Sequence, residues 1–224
     1  MTADPRRVLI TDAEEFIGPA AVERFRSVGD DVVAVTEPFE ARVDVADTMA
    51  AYGPFDVVVA NLEASITVAP ITEHDDAIVD DVLGRLVHPL FWLFEECLPS
   101  MVAAGAGAVV VPTSATAIRS SSHPIAGYEA ARATQLQLVR SVGREMAGHG
   151  VRVNGIAPNF IENPSYFPPD TVADPEFEAA MRRDVPAQRL GRGSEAADVV
   201  WWLASAEASY VFGQVIATDG GWTL

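Results

Sequence analysis

Val8-Leu9-Ile10-Thr11-Asp12-Ala13-Glu14-Glu15-Phe16-Ile17-Gly18 is the stretch that decides the fold of this chain. The apolar run 8–10 is typical of a buried strand and a helical pattern begins near Gly18, so the residues between form the first strand-to-helix turn. A dinucleotide-binding turn needs glycines there, because its backbone must bend tightly and approach a pyrophosphate. Asp12 and Phe16 stand at the first two glycine positions, and only Gly18 remains. The turn predicts a protein that works without a nucleotide.

Beyond this turn, apolar runs of strand length alternate with helical patterns along the whole chain. The runs lie at 8–10, 32–35, 57–60, 108–111, 151–156 and 215–217, and the helical patterns at about 17–28, 75–104, 126–149 and 195–205. Nearly continuous apolar strands indicate a parallel sheet covered on both faces. We therefore expect an α/β fold, a Rossmann-like doubly wound parallel sheet in three layers (α/β/α), with its ligand crevice at the carboxyl ends of the strands.

The connecting segments complete this prediction of one domain over residues 1–224. Residues 36–54 leave room for little more than a turn or two of helix. Residues 161–175 contain four prolines, which indicates an irregular loop over the crevice. Ser194 is a candidate N-cap for the last helix.

Composition excludes several kinds of partner. A formal net charge of -17 disfavours nucleic acid and anionic membranes, which attract basic surfaces, although a local anion site remains compatible with it. No apolar run approaches the about 18 residues that span a bilayer, and no signal peptide is visible, so a soluble cytoplasmic protein is expected. The single cysteine, Cys97, lies in an apolar helical stretch and reads as a reduced core residue rather than a nucleophile. No histidine or carboxylate pair has metal-ligand spacing, so no metal is expected.

A serine, a tyrosine and an arginine follow the fourth predicted strand. Ser114 comes just after that strand, and Tyr128 and Arg132 are four residues apart on one face of the next helix. A guanidinium fixed beside a phenol favours the phenolate, which can then accept a proton. The alternative is structural, with the tyrosine packed on its sheet and the arginine paired with Glu129 or with solvent.

These residues, together with 151–158 (Val-Arg-Val-Asn-Gly-Ile-Ala-Pro) and the closing Asp219-Gly220-Gly221, resemble the short-chain dehydrogenase/reductase superfamily over nearly the whole chain. Typical members carry lysine in place of Arg132 and glycines in the first turn. Both departures resemble one branch of the superfamily, the halohydrin dehalogenases, which share the turn formed by Thr11, Phe16 and Gly18 and a Ser…Tyr-x3-Arg set.

Ser114 lies fourteen positions before Tyr128, whereas the spacing associated with that family is thirteen. Strict counting would select Ala115, which has no hydroxyl. We take Ser114 as the catalytic serine with one extra residue in the loop 117–127, and Thr116 and Ser120 to Ser122 as the other candidates.

The resemblance implies cofactor-independent closure of a vicinal haloalcohol to an epoxide, with release of halide and a proton, and the reverse opening of epoxides by small anions. Ser114 and Tyr128 would bind the substrate hydroxyl and Arg132 would assist Tyr128. The halide nest would lie in the segment after the fifth strand, and the resemblance also implies a homotetramer. The residues assigned to halide and substrate binding are Thr11, Phe16, Pro158, Asn159, Phe160, Ile161, Tyr166 and Phe167.

The aromatic residues of that set have a plainer interpretation as loop anchors. The carboxylates Asp12, Glu14 and Glu15 lie at a helix N-terminus, where negative charge is favoured, and would repel a pyrophosphate; they also fit a solvated acidic turn. Two other functions stay open: an NAD(P)-dependent short-chain oxidoreductase with a degenerate glycine motif, and a non-catalytic relative acting as a binding protein.

Overall fold

Six parallel strands form one sheet in the computed structural model, which describes residues 5–224. The strand order is β2-β1-β3-β4-β5-β6, with each neighbouring pair parallel. The strands are β1 (Arg7–Ile10), β2 (Asp31–Ala34), β3 (Val57–Val59), β4 (Gly107–Pro112), β5 (Val151–Pro158) and β6 (Val215–Thr218). The chain reverses direction across the sheet between β1 and β3, and this arrangement confirms the predicted doubly wound α/β fold.

Residues 5–224 form eight α-helices. They are α1 (Gly18–Ser27), α2 (Arg42–Tyr52), α3 (Asp76–Leu86), α4 (His88–Ala104), α5 (Ala126–Met146), α6 (Pro169–Val172), α7 (Pro175–Asp184) and α8 (Gly193–Ala204).

The two faces of the sheet bury two separate apolar clusters. Val8 and Ile10 of β1 pack with Phe25 of α1 and Val200 of α8 on one face. Leu9, which points the other way along the same strand, packs with residues of α2, α3, α4 and α5. Alternate strand side chains therefore hold helices on both sides of the sheet, which produces the three layers. Cys97 is buried among the second set, and burial raises the pKa of its thiol to about 12.

The predicted helix 75–104 is wrong in one respect, because two helices occupy it. α3 ends at Leu86 and α4 begins at His88, with Val87 between them. Pro89 lies in the first turn of α4, where a backbone N–H has no partner within the helix, so proline costs no hydrogen bond there. The break leaves the carbonyl of Leu86 at the end of α3.

Three further expectations need correction. The segment 36–54 holds the 11-residue helix α2 rather than one or two turns, because the Asp44 carboxylate caps its start by accepting from the Glu40 and Ala41 N–H groups. The N-cap of α8 is Arg192, not Ser194; Glu195 accepts from the Arg192 N–H at 2.8 Å. The proline-rich loop gives way to α6 and α7, and α7 is capped by Asp174, whose side chain accepts from the Glu176 N–H.

None of the helices in residues 5–224 combines the length and the apolarity needed to cross a bilayer. The His, Cys, Asp and Glu side chains of the same residues form no group of three or more suited to a metal ion.

Candidate active site

A cavity of about 660 Å³ lies at the carboxyl ends of β1, β4 and β5. Its walls come from the first turn, the segment after β4, the start of α5, the long connection after β5, α7 and the C-terminal residues. Nine of the eleven residues assigned to a site from the sequence line it: Phe16, Ser114, Tyr128, Pro158, Asn159, Phe160, Ile161, Tyr166 and Phe167. The fold thus brings together segments as far apart in the chain as Phe16 and Trp222.

Thr11 and Arg132 are the two predicted site residues outside that lining. The Thr11 hydroxyl is buried and donates to the carbonyl of Asn61 at 2.7 Å, so it ties the first turn to the segment after β3. Arg132 lies behind the cavity wall, beneath Phe16 and Tyr128.

Ser114 lies two residues beyond the end of β4, and both Ser114 and Thr116 line the cavity. Its Oγ accepts from the Thr116 N–H at 3.2 Å and lies 2.9 Å from the Thr116 Oγ1. Because the Ser114 oxygen accepts the Thr116 N–H, its own hydroxyl proton can be donated to the Thr116 Oγ1 or to a ligand. Thr116 and Ser120 to Ser122 also line the cavity, so the other candidates stay close to the same space.

The Arg132 guanidinium is fully buried between two aromatic rings. Its Cζ lies 5.0 Å from the ring centroids of both Phe16 and Tyr128, at cation–π distance. The structural alternative, a pair with Glu129, is not formed, because the Glu129 carboxylate accepts from the Ser121 N–H at 2.6 Å. Since Phe16 belongs to the first turn and Tyr128 to α5, the arginine joins the two ends of the site.

Tyr166 bonds the same guanidinium from the connection after β5. Arg132 Nη2 donates to the Tyr166 hydroxyl at 3.1 Å, and that hydroxyl donates to the carbonyl of Ala64 at 3.0 Å. The Tyr166 ring also packs edge-on against Phe16 at 5.3 Å and Tyr128 at 6.0 Å. Sequence reasoning treated Tyr166 as an aromatic wall and missed this polar role, which depends on a tertiary contact.

The electrostatics of this group follow from burial and from the phenols. Burial opposes the charge of Arg132, but Tyr128 and Tyr166 outweigh it and the pKa of the guanidinium is raised. Burial, followed by the neighbouring Tyr128, raises the pKa of Tyr166 well above its ordinary value. Tyr166 therefore holds its proton more tightly than a free phenol, and it donates that proton to the Ala64 carbonyl.

The segment after β5 has N–H donors without a hydrogen-bond partner on residues that line the cavity. Phe160 has a φ of 51°, and its N–H donates to the Asn159 Oδ1 at 2.9 Å, which orients the side-chain amide. Within the described residues, neither the Asn159 Nδ2 nor the Ile161 N–H forms a hydrogen bond. A left-handed residue beside backbone N–H groups is typical of small anion-binding concavities.

The first turn differs from a glycine-rich dinucleotide-binding turn in its hydrogen bonds. Its N–H groups are engaged by the protein itself, because the Phe16 N–H donates to the Ser165 Oγ at 2.8 Å and the Ile17 N–H to the Asn61 Oδ1 at 3.3 Å. The Ser165 hydroxyl donates in turn to the Glu15 carboxylate at 2.7 Å. A pyrophosphate would have to displace these bonds and approach carboxylates.

Asp12 and Phe16 adopt φ angles of 41° and 49°, the left-handed conformation that glycine normally supplies. The turn therefore keeps the backbone shape of a glycine-rich turn while carrying two side chains. Burial raises the pKa of the Asp12 carboxyl, which accepts from the Glu63 N–H at 2.8 Å. Burial, and then the nearby Glu15, also raises the pKa of Glu63.

Four aromatic rings form the outer end of the cavity. Phe160 stacks on Phe167 at 5.7 Å and lies 6.4 Å from both Phe177 and Trp222. Trp222 is only 7% exposed and belongs to the cavity of its own chain, with the Arg119 guanidinium over its ring and bonded to its carbonyl. Phe177 was missed from the sequence because α7 was not foreseen.

The sheet topology and the Ser, Tyr and Arg set define a class of enzyme. The chain belongs to the short-chain dehydrogenase/reductase superfamily: residues 6–223 match the family model described as "Enoyl-(Acyl carrier protein) reductase". A galactitol 2-dehydrogenase (L-tagatose-forming) of Cereibacter sphaeroides is 31% identical over 220 residues, which cover 98% of this chain and 85% of that protein. A 3-oxoacyl-[acyl-carrier-protein] reductase of Thermotoga maritima is 32% identical over 191 residues, covering 85% of this chain and 75% of the relative.

Among solved structures, a protein described as "Dehalogenation enzyme" superposes with a TM-score of 0.85 at 28% identity, covering 99% of this chain and 100% of that one. A halohydrin dehalogenase bound to ethyl (2S)-oxiran-2-ylacetate gives a TM-score of 0.88 at 24% identity, covering 96% of each chain. The second likeness is one of fold alone.

Proposed function

We propose that this enzyme is a cofactor-independent halohydrin dehalogenase, which closes vicinal haloalcohols to epoxides with release of halide and a proton. The observation that carries the proposal is the first turn: Phe16 stands where a dinucleotide-binding turn has a glycine, its ring packs on Arg132, and its N–H donates to the Ser165 hydroxyl. The likeness to the dehalogenation enzyme at 28% identity supports it.

The proposed reaction uses the two hydroxyls of the cavity wall. Ser114 donates a hydrogen bond to the substrate oxygen, and Tyr128 removes its proton with help from the charge of Arg132. The oxyanion attacks the adjacent carbon, forming the C–O bond as the C–halogen bond breaks on the opposite side. The halide leaves with the bonding electrons, and Tyr128 later returns the proton to solvent. Holding oxygen, carbon and halogen in line is a proximity effect.

Asn159 and Ile161 are assigned to the departing halide. Their unused N–H donors offer a positively polarised concavity without a formal charge, which suits a monovalent anion that must also be released. The same concavity would accept azide, cyanide or nitrite for the reverse opening of an epoxide.

The first test measures halide release from 1,3-dichloro-2-propanol without added cofactor. Tyr128→Phe should lower the rate about 10²- to 10⁴-fold, the range that a general base contributes. Tyr52→Phe is the matched control, because Tyr52 is half exposed on α2 and distant from the cavity. Arg132→Lys should also lose activity, whereas Arg140→Lys on the exposed side of α5 should not.

A nicotinamide-dependent oxidoreductase is the second candidate, favoured by the names of the curated relatives at 31% and 32% identity. Titration with NADH and NADPH, followed by fluorescence, separates the two candidates. Binding of either nucleotide together with alcohol oxidation would overturn the dehalogenase proposal, as would halide release that survives the loss of Tyr128.

A further inference from the structure

Gln135 lies three residues beyond Arg132 on α5 and is also 0% exposed. Arg132 Nη1 donates to the Gln135 Oε1 at 3.0 Å and to the Pro112 carbonyl at 3.3 Å. The Gln135 Nε2 donates to the carbonyl of Leu86 at 2.7 Å. Because Leu86 is the last residue of α3, the break before α4 supplies the acceptor that orients this amide, with its oxygen towards Arg132.

The hydrogen-bond acceptors of Arg132 are all neutral. They are the Gln135 amide, the Pro112 carbonyl and the Tyr166 phenol, whose own proton is held by Ala64. No carboxylate in residues 5–224 lies at salt-bridge distance from Arg132, and its Nε–H has no hydrogen-bond partner there. A buried arginine without a counter-ion is unusual, because burial penalises an unpaired charge.

We propose that Gln135 is a positioning residue whose neutrality matters: it holds Arg132 against Tyr128 without neutralising the charge that Tyr128 needs. A glutamate would make the same contact to Nη1 and would compete with a Tyr128 phenolate for that charge. This inference rests on the proposed function for its kinetic consequence, but its electrostatic content is independent of the reaction.

The other ionisable groups in the surroundings of Arg132 lie on four segments of the chain. Tyr166 approaches from the connection after β5, and Asp12 and Glu15 belong to the first turn. Glu63 follows β3, and Arg85 on α3 lies 3.9 Å from Asp12. Asp12 lies nearest to Arg85 among the arginines, and neither Asp12 nor Glu63 forms a salt bridge with Arg132 within residues 5–224, so neither takes the place of a counter-ion.

The test compares Gln135→Glu with Gln137→Glu, which adds the same charge two residues away on the exposed side of the same helix. Tyr128 ionisation is followed by tyrosinate absorbance as the difference between each protein and its Tyr128→Phe counterpart. Gln135→Glu should raise the ionisation pH by 1 to 3 units, the usual effect of an adjacent charge, and Gln137→Glu should leave it unchanged. Halide release at pH 7 should fall about 10- to 1,000-fold in Gln135→Glu alone and recover at higher pH.

Gln135→Met provides the second variant, which is neutral and makes no hydrogen bond. It should lower turnover through a looser Arg132 but leave the ionisation pH of Tyr128 in place. Equal ionisation in Gln135→Glu and the parent, an equal shift in Gln137→Glu, or a shift of a unit or more in Gln135→Met would overturn the inference. A parent protein that releases no halide contradicts the proposed function instead, and the absorbance titration then still decides the role of Gln135.

Discussion

Three residues with side chains, Asp12, Phe16 and Phe160, adopt the left-handed backbone conformation that glycine normally supplies. Such a conformation costs a residue with a side chain about 1–2 kcal/mol. The contacts offset that cost: Asp12 accepts from Glu63, Phe16 packs on Arg132, and the Phe160 carbonyl accepts from the Gly191 N–H at 2.8 Å. At the scale of single residues, these contacts stabilise backbone conformations that are costly for residues with side chains, and they let Phe16 and Phe160 line the cavity.

Asp12→Asn should make the protein more stable at pH 7. Asparagine tolerates the left-handed conformation and retains an oxygen for the Glu63 N–H, so only the charge changes. Because burial raises the pKa of Asp12 in the folded state above its ordinary value of 3.8, the folded protein binds that proton more tightly than the unfolded chain. Stability is therefore lost as pH rises from 3.8 through the raised value.

Urea unfolding of the Asp12→Asn variant across pH 3 to 8 measures this effect. The stability gained over the parent should be largest at neutral pH and vanish near pH 3, where both states of the parent are protonated. The exposed Asp47→Asn on α2 is the control, with little change expected. A variant less stable than the parent at pH 7 would mean that the contact with Arg85 at 3.9 Å outweighs the burial of the carboxylate.

At the scale of elements, the connection after β5 is fastened to the turn after β1 by a short polar segment. The Asn163 Oδ1 accepts from the N–H groups of Ser165 and Tyr166, at 3.1 and 2.8 Å. Ser165 then bonds Phe16 and Glu15, while Tyr166 bonds Arg132 and Ala64. The adjacent Ser165 and Tyr166 side chains thus link three parts of the fold: the turn after β1, the segment after β3, and α5.

Ser165→Ala should destabilise the protein by about 1–3 kcal/mol, because it leaves the half-buried Phe16 N–H without its acceptor and removes a bond to Glu15. Ser27→Ala is the matched control: the Ser27 hydroxyl is exposed and bonds only the Arg24 carbonyl one turn away. Urea unfolding should separate the two variants. Equal losses would show that the Ser165 bonds carry no special weight.

The sequence predicted the sheet more completely than the elements above it. Apolar runs located all six strands, and the Tyr128–Arg132 spacing located the face of α5 that carries the candidate site. The full length of α2 was not predicted, because Val45 is its only buried residue and the helix therefore shows no apolar periodicity in the sequence. α7 was hidden by prolines that turned out to open helices.

Contacts between distant segments were the part of the site that spacing could not give. The bonds of Tyr166 to Arg132 and of Ser165 to Phe16 span 34 and 149 positions. Gln135 did offer a signal, since a residue three places beyond Arg132 lies on the same helical face. The orientation of its amide depends on the Leu86 carbonyl at the end of α3, and the sequence predicted no helix end there.

At the scale of the whole molecule, 32 acidic residues face only 15 basic ones, all of them arginine. Several arginines are paired at the surface, as in Arg42 with Glu95 and Glu96. The remaining carboxylates repel one another, and this self-repulsion disfavours the compact state.

Added salt should therefore raise the Tm, because screening shortens the reach of that repulsion to about 8–10 Å. A gain of about 1 kcal/mol corresponds to about 2–4 °C for a domain of this size. Sodium acetate measures screening alone, and sodium bromide at the same ionic strength adds any binding at the proposed halide concavity. A Tm that falls in acetate would contradict the first expectation, and identical curves in both salts would count against bromide binding.

Trp222 brings the last described residues into the wall of the cavity, so we expect them to affect which substrates fit. The last residue, Leu224, is fully exposed, yet the side chain two positions earlier forms a wall of the cavity. A carboxypeptidase that removes three residues would take away this wall and leave every strand and helix intact. Trimming, or a fusion partner attached at this end, should change the range of substrates before it changes stability, which mass spectrometry combined with turnover of large and small haloalcohols would reveal.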